Sequence, residues 1–205
     1  MAEQTGWWFD IEADGLYLQG NRVWYIRLMS FDYKRTLALH PFKEGKEETA
    51  RKLKEWIHSF PDGSVVSAHN GLGYDLWVLW KHFDIVPRVG NGGKDWLDGK
   101  HVQYVDTYVL SMYLRPDAKK HSLGFLASGS EDEKTDFRAS LIQAGAMAID
   151  APKGHEFTFH HPLMDKYCDD DVKALAGVYE RLWKQAQELY GEEWLHPSFR
   201  QMQKD

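Results

Sequence analysis

An α/β fold with a mixed sheet and helices on its flanks is predicted by the order of periodicities along the chain. Three early strand patterns follow one another through tight connections, helical and strand patterns then alternate, and a long amphipathic helix comes last. The 205 residues are 43% hydrophobic and carry 9 Trp, 10 Tyr and 10 Phe, enough to bury a substantial core.

Residues 6–10 read as a short buried strand ending in acid, and residues 22–31 as a longer one. Residues 32–35 turn the chain into a third strand at 36–39, giving an antiparallel meander. Residues 46–60 switch period: Leu53, Trp56, Ile57 and Phe60 fall at helical spacing with charge between them. Pro61-Asp62-Gly63 breaks that helix before a buried strand at 64–68. Residues 74–83 predict a second helix, apolar on most of its surface and therefore buried. Residues 87–99, rich in Gly and Asn without periodicity, predict a surface loop. A strand at 101–105 and a helix at 106–114 follow, the helix stopped near Pro116. Between 119 and 154 only short helical stretches emerge, around 123–126 and 137–147. Residues 163–190 predict one long helix with Val172, Leu175, Val178, Tyr179 and Leu182 on one side. No repeat, low-complexity tract or dividing linker interrupts the pattern, so residues 1–205 read as one domain.

The single Cys168 excludes an internal disulfide and a cysteine-cluster zinc site, which fits a reducing compartment. No apolar run reaches the ~18 residues that span a bilayer. Met1-Ala2-Glu3-Gln4 has no basic stretch before an apolar one, so no secretory signal is expected and a cytoplasmic location is. The net charge of −6 argues against extended coating of nucleic acid. It leaves open the gripping of a chain end at a metal centre, where bound cations reverse the local sign.

Three acidic segments carry the chemistry: Asp10-Ile11-Glu12, Asn70 through Tyr74-Asp75, and Tyr167 with Asp171. Asp10 and Glu12, two apart on a strand, point to one face, and Tyr167 and Asp171, four apart on a helix, share another. Carboxylates from separate segments suit Mg2+ or Mn2+, and two such ions about 3.5–4 Å apart are the equipment of phosphodiester hydrolysis. A Tyr167 phenol, with an ordinary pKa of ~10, can orient the attacking water without losing its proton. Each segment alone has a plainer reading: a solvated acidic pair, a turn leading to a helix cap, a core tyrosine, or an acidic helix start. Their joint occurrence in this order favours the shared site. His69, His121, His160 and His161 lack ligand spacing, and His160-His161 before Pro162 predicts a loop. Gly90, Gly92 and Gly93 do not form a phosphate-cradling loop, and Trp24, Trp56, Trp77 and Trp80 are assigned to the core.

With Phe9-Asp10-Ile11-Glu12, His69-Asn70-Gly71 through Tyr74-Asp75, and Tyr167-x-x-x-Asp171, the chain resembles the DEDD superfamily of 3′–5′ exonucleases. The tyrosine places the resemblance in the proofreading branch, since the histidine branch needs His where Lys166 stands. Asp106-Thr107-Tyr108-Val109-Leu110-Ser111, His121-Ser122-Leu123 and Met164-Asp165-Lys166-Tyr167 make it similar to the exonuclease domain of short-tailed phage family-A DNA polymerases. The resemblance implies a ribonuclease-H-like fold, two Mg2+ or Mn2+ ions, and release of nucleoside 5′-monophosphates from the 3′ end of single-stranded or frayed DNA. It implies that Asp10, Glu12 and Asp171 hold one metal, that Asp10 bridges to the second and that Asp75 supports the second. Ala13, Asp14, Gly15 and Leu16 would line the terminal nucleotide, and Asn70 would help hold the strand. The expectation is a free-standing exonuclease or an excised domain, in host cytoplasm if phage-encoded, serving a DNA polymerase in trans. Two alternatives stand beside it: a trimmer of RNA or oligonucleotide 3′ ends, and a non-catalytic module binding a replication partner.

Overall fold

The structure is a computed structural model that describes residues 5–15, 22–90, 95–128 and 136–191. Strand β1 (Gly6–Ala13) is buried on both faces, as a strand at the centre of a two-sided sheet must be. It pairs antiparallel with β2 (Val23–Ser30), which pairs antiparallel with β3 (Thr36–Leu39), forming the predicted meander. A short helix α1 (Pro41–Glu44), started by proline at its first position, leads into α2 (Lys46–His58). Strand β4 (Ser64–Ala68) then returns parallel to β1, with helix α3 (Asp75–Phe83) following.

Where a loop was expected at 87–99, the chain extends the sheet through β5 (Pro87–Arg88) and β6 (Asp95–Leu97). Pairings of two and three residues are too short to leave a periodicity in sequence. Buried Asp95 locks this edge by accepting from the backbone N–H of Gly90 at 3.0 Å and of Tyr104 at 3.2 Å. Strand β7 (Lys100–Asp106) pairs parallel with β4, completing a mixed seven-stranded order β3-β2-β1-β4-β7-β6-β5 among the described residues. Helices α4 (Thr107–Leu114), α5 (Leu123–Ala127) and α6 (Phe137–Gln143) precede the long α7 (Pro162–Tyr190). No described helix is long and apolar enough to cross a membrane.

The alternation along β1 sorts the core into two layers. Trp7, Phe9 and Ile11 pack with Leu53, Ile57, Leu76 and Leu79 of α2 and α3. Trp8 faces the other way, into a cluster with Val172, Leu175, Val178 and Tyr179 of α7. Asp10 and Glu12 continue the Trp8 face by the period of two, so the acids lie on the side that α7 covers. The predicted strand end at Asp10 is therefore corrected: the ladder runs on through Asp10↔Arg27 and Glu12↔Tyr25, and a register shift follows at Glu12/Ala13. The burial expected of α3 also holds on one side only. Trp77 and Trp80 are 38% and 45% exposed and meet edge to face at 5.9 Å, whereas Trp24 and Trp56 are in the core as predicted.

Candidate active site

Three elements meet above the C-terminal half of β1. The strand supplies Asp10 and Glu12. Beyond β4, a tight turn carries Asn70 and Gly71 into α3, whose first residue is the buried Asp75. From the other side α7 brings Tyr167, Cys168 and Asp171. The Cys168 thiol sits 3.5 Å from the Asp10 carbonyl oxygen, and one ligand atom each of Asp10, Glu12 and Cys168 falls within 4.8 Å of the others. Tyr167 hydrogen-bonds Asp171 and feels the charges of Glu12 and Asp10, while Asp75 feels that of Asp10. The fold thus brings the four acids and the tyrosine of the sequence motifs into one electrostatic neighbourhood.

The turn at 69–73 is held by a residue outside the three acidic segments. Asp106, buried at the end of β7, accepts from the backbone N–H of Asn70 at 2.9 Å and of Leu72 at 3.0 Å. It also caps α4 by accepting from Tyr108 N–H at 2.9 Å. These bonds hold Asn70 in the left-handed region at φ 62° and fix where α3 begins. Gly71 allows the turn to close: a Cβ there would stand 2.5 Å from the Ala68 Cβ. Gly71→Ala is expected to destabilise the protein by about 1–3 kcal/mol through overpacking and to lower activity by displacing Asp75. Urea denaturation checks the first effect and turnover per folded molecule the second.

Ala13 is buried at the end of β1, and Asp14 donates its N–H to the Arg22 carbonyl at 3.1 Å while its Oδ1 accepts from the Arg22 N–H at 3.0 Å. The Gly15 carbonyl accepts from the Tyr74 hydroxyl at 2.9 Å, tying this corner to the start of α3. Leu16 lies outside the described residues. Phe137 of α6 stacks on Tyr167 with ring centroids 5.2 Å apart, a packing partner with no sequence signature. The start of α7 is docked by Asp169, which takes the Tyr25 hydroxyl at 3.0 Å and Arg27 Nε at 3.2 Å.

The electrostatics are those of a cluster short of positive charge. Burial, then repulsion from Asp10 and Asp106, pushes the Asp75 carboxyl well above its usual range. Burial, then Asp171, Glu12 and Asp10, pushes the Tyr167 phenol up, so it stays protonated. Burial together with Asp10 and Glu12 raises the Cys168 thiol in the same way. Asp75 Oδ1 is buried with no hydrogen-bond partner among the described residues, although oxygen in such a place ordinarily has one. Carboxylates in mutual repulsion with an orphaned oxygen fit hard divalent cations of the Mg2+ and Mn2+ class, while the Cys168 thiol that converges with Asp10 and Glu12 stays protonated.

Solved structures share this fold. The family B DNA polymerase of the hyperthermophilic archaeon Pyrobaculum calidifontis aligns over 98% of the chain at 20% identity and a TM-score of 0.66. The chain spans only 27% of that polymerase. Brucella melitensis NrnC with bound Mg2+ aligns over 98% of the chain and 83% of its own length, at 15% identity and a TM-score of 0.59. The same protein bound to pGG aligns over the same shares at 13% identity and a TM-score of 0.56. A search of curated protein sequences returns no significant match. Residues 7–127, more than half of the chain, match the family RNase_H_2 of the RNase H superfamily. With the mixed sheet and its flanking helices, that match settles the affiliation: the chain belongs to the RNase H superfamily, as an RNase H-like nuclease domain.

Proposed function

We propose that this nuclease is a metal-dependent 3′–5′ exonuclease acting on single-stranded DNA or frayed 3′ ends and releasing nucleoside 5′-monophosphates. The observation that carries the reading is the meeting of α7 with β1, which sets Tyr167 and Asp171 among the charges of Asp10 and Glu12. The resemblance to the tyrosine branch of DEDD exonucleases, and within it to the phage family-A polymerase domains, supplies direction and product.

In this reading Asp10, Glu12 and Asp171 would hold one cation, and Asp10 and Asp75 would hold the second. When bound, the cations supply Lewis-acid stabilisation of the phosphoryl oxygens and a water of lowered pKa. The protein's own share is positional. Tyr167, kept neutral by burial and by the acids around it, hydrogen-bonds and orients the attacking water. Ala13, Asp14, Gly15 and Leu16 line the terminal nucleotide, and Asn70 steadies the strand. Base stacking on aromatic side chains, worth ~1–3 kcal/mol per base, compensates for an acidic protein's lack of general phosphate attraction. A DNA polymerase acting in trans is the partner such an activity would serve.

The test is incubation of 3′-labelled and 5′-labelled single strands with Mg2+, with and without chelator. Label released as mononucleotide from the 3′ end first, and only with metal, supports the reading. Internal cuts or 5′ release would overturn it. In the same assay Tyr167→Phe is expected to slow hydrolysis ~10²-fold with cation binding retained. Wild-type turnover in that variant would remove Tyr167 from the reaction.

A second reading is 3′ trimming of RNA or short oligonucleotides, favoured by the pGG complex of the similarly folded Brucella NrnC. Matched DNA and RNA oligomers down to the dinucleotide, with 3′-blocked controls, separate the two, because only contact at the 2′-hydroxyl distinguishes the sugars.

A further inference from the structure

Away from the four carboxylates, a second group of ligand atoms converges at the first turn of α7. His40 stands at the end of β3, His160 in the connector before α7, and Asp165 within the helix. His40 Nε2 is 2.8 Å from Asp165 Oδ2, and His160 Nε2 is 2.8 Å from Asp165 Oδ1. All three ligand atoms fall within 4.8 Å of one another. The imidazole rings lie edge to face at 5.8 Å, and Phe42 of α1 packs against both. Each of the three side chains is less than a third exposed. The sequence hid this group, because His40 and Asp165 are 125 positions apart and the His160-His161 pair reads as a loop.

We propose that His40, His160 and Asp165 form a transition-metal site of the Zn2+ class, separate from the carboxylate cluster. Two imidazole nitrogens and one carboxylate are a borderline-soft donor set: Mg2+ and Ca2+ prefer oxygen alone, whereas Zn2+ and Co2+ accept this mixture. Three protein ligands leave one tetrahedral position for water. Zinc–ligand bonds of ~2.0–2.1 Å place neighbouring ligand atoms about 3.4 Å apart, so the 2.8 Å gaps open by roughly half an ångström, within reach of small χ adjustments. Such an ion clips the β3–α1 corner, the connector and the first turn of α7 together, two residues ahead of Tyr167. It binds only the folded chain, and so stabilises it by mass action.

The test is a Co2+ titration of the full chain in a large excess of Mg2+, which saturates the carboxylate site. The expected result is a single equivalent of Co2+ with the intense visible absorption of a tetrahedral nitrogen–oxygen site, displaced by Zn2+. His40→Gln and His160→Gln should each weaken it by at least the ~10–100-fold that loss of even an outer partner of a metal site costs. Asp10→Asn should leave it intact. Should a histidine variant fail to fold, 15N-labelled wild-type protein replaces it, with the His40 and His160 Nε2 resonances shifting together on Zn2+ addition. Absence of the band, its persistence in both histidine variants, its loss in Asp10→Asn, or unmoved imidazole resonances would assign these contacts to hydrogen bonding only and overturn the site.

Discussion

Asp10→Asn is expected to abolish hydrolysis while making the metal-free protein more stable. Asp10 is the acid whose charge is felt by Asp75, Tyr167 and Cys168 alike, so it sits at the electrostatic centre of the cluster. Removing its charge withdraws a ligand common to both proposed cation positions. The loss should reach at least ~10³-fold in turnover, equivalent to about 4 kcal/mol of transition-state stabilisation. In chelator the same change relieves repulsion on the order of 1 kcal/mol, and melting should rise by roughly 2–4 °C for a chain of this size. Added Mg2+ should raise the melting temperature of the wild type and leave that of the variant unmoved.

A pH dependence follows from the same cluster. The Asp75 carboxyl titrates above its ordinary 3.8 in the folded protein, so the folded state holds its proton to higher pH than the unfolded chain. Its contribution to stability is complete below 3.8 and is lost as pH rises through the raised value. Melting curves in chelator should therefore fall across that interval, and less steeply in Asp10→Asn. A variant that cuts DNA at the wild-type rate, or a chelated variant less stable than wild type, would dismantle the assigned site.

Asp106→Ala should be the most destabilising change at the site although Asp106 is assigned no contact with cation or substrate. Its carboxylate serves the N–H groups of Asn70, Leu72 and Tyr108 from a position 3% exposed. Each buried N–H left without an acceptor costs ~1–3 kcal/mol, so the combined loss is about 4 kcal/mol, allowing for relaxation of the turn. Asp106→Asn keeps an acceptor oxygen and should lose less. The order wild type, Asn, Ala in urea midpoints is the expected outcome. An Ala variant within 1 kcal/mol of wild type would show that water or a shifted turn replaces the carboxylate.

How much of this was legible in the sequence depended on whether the determinant was local. The strand at Thr36–Leu39 and the strand at Ser64–Ala68 fall where the residue pattern put them, because each is bounded by turn residues and fully covered or at an edge. The long helix differs from expectation by one residue, since Pro162 starts it and Gly191 ends it. The extension of β1 past Asp10 was not legible: acids within a strand look like its end unless the covering helix is known. Nor were the pairings at Pro87–Arg88 and Asp95–Leu97, which owe their existence to β7 beside them rather than to their own composition. The exposure of Trp77 and Trp80 ran against hydropathy because, among the described residues, α3 is covered on one side. At the site, spacing of two on a strand and four on a helix pointed to Asp10, Glu12, Tyr167 and Asp171, which the fold brings near one another. Asp106 and the His40–His160–Asp165 group needed coordinates, since Asp106 reaches Leu72 across 34 positions and His40 reaches Asp165 across 125.

The docking of α7 across β1 also dictates when the protein can first act during synthesis. The thiol of Cys168 rests against the carbonyl of Asp10, 158 positions earlier, so the acidic cluster is assembled only when the final described helix folds back. A nascent chain still tethered to the ribosome at residue 160 lacks the segment that sets Tyr167, Cys168 and Asp171 beside Asp10 and Glu12.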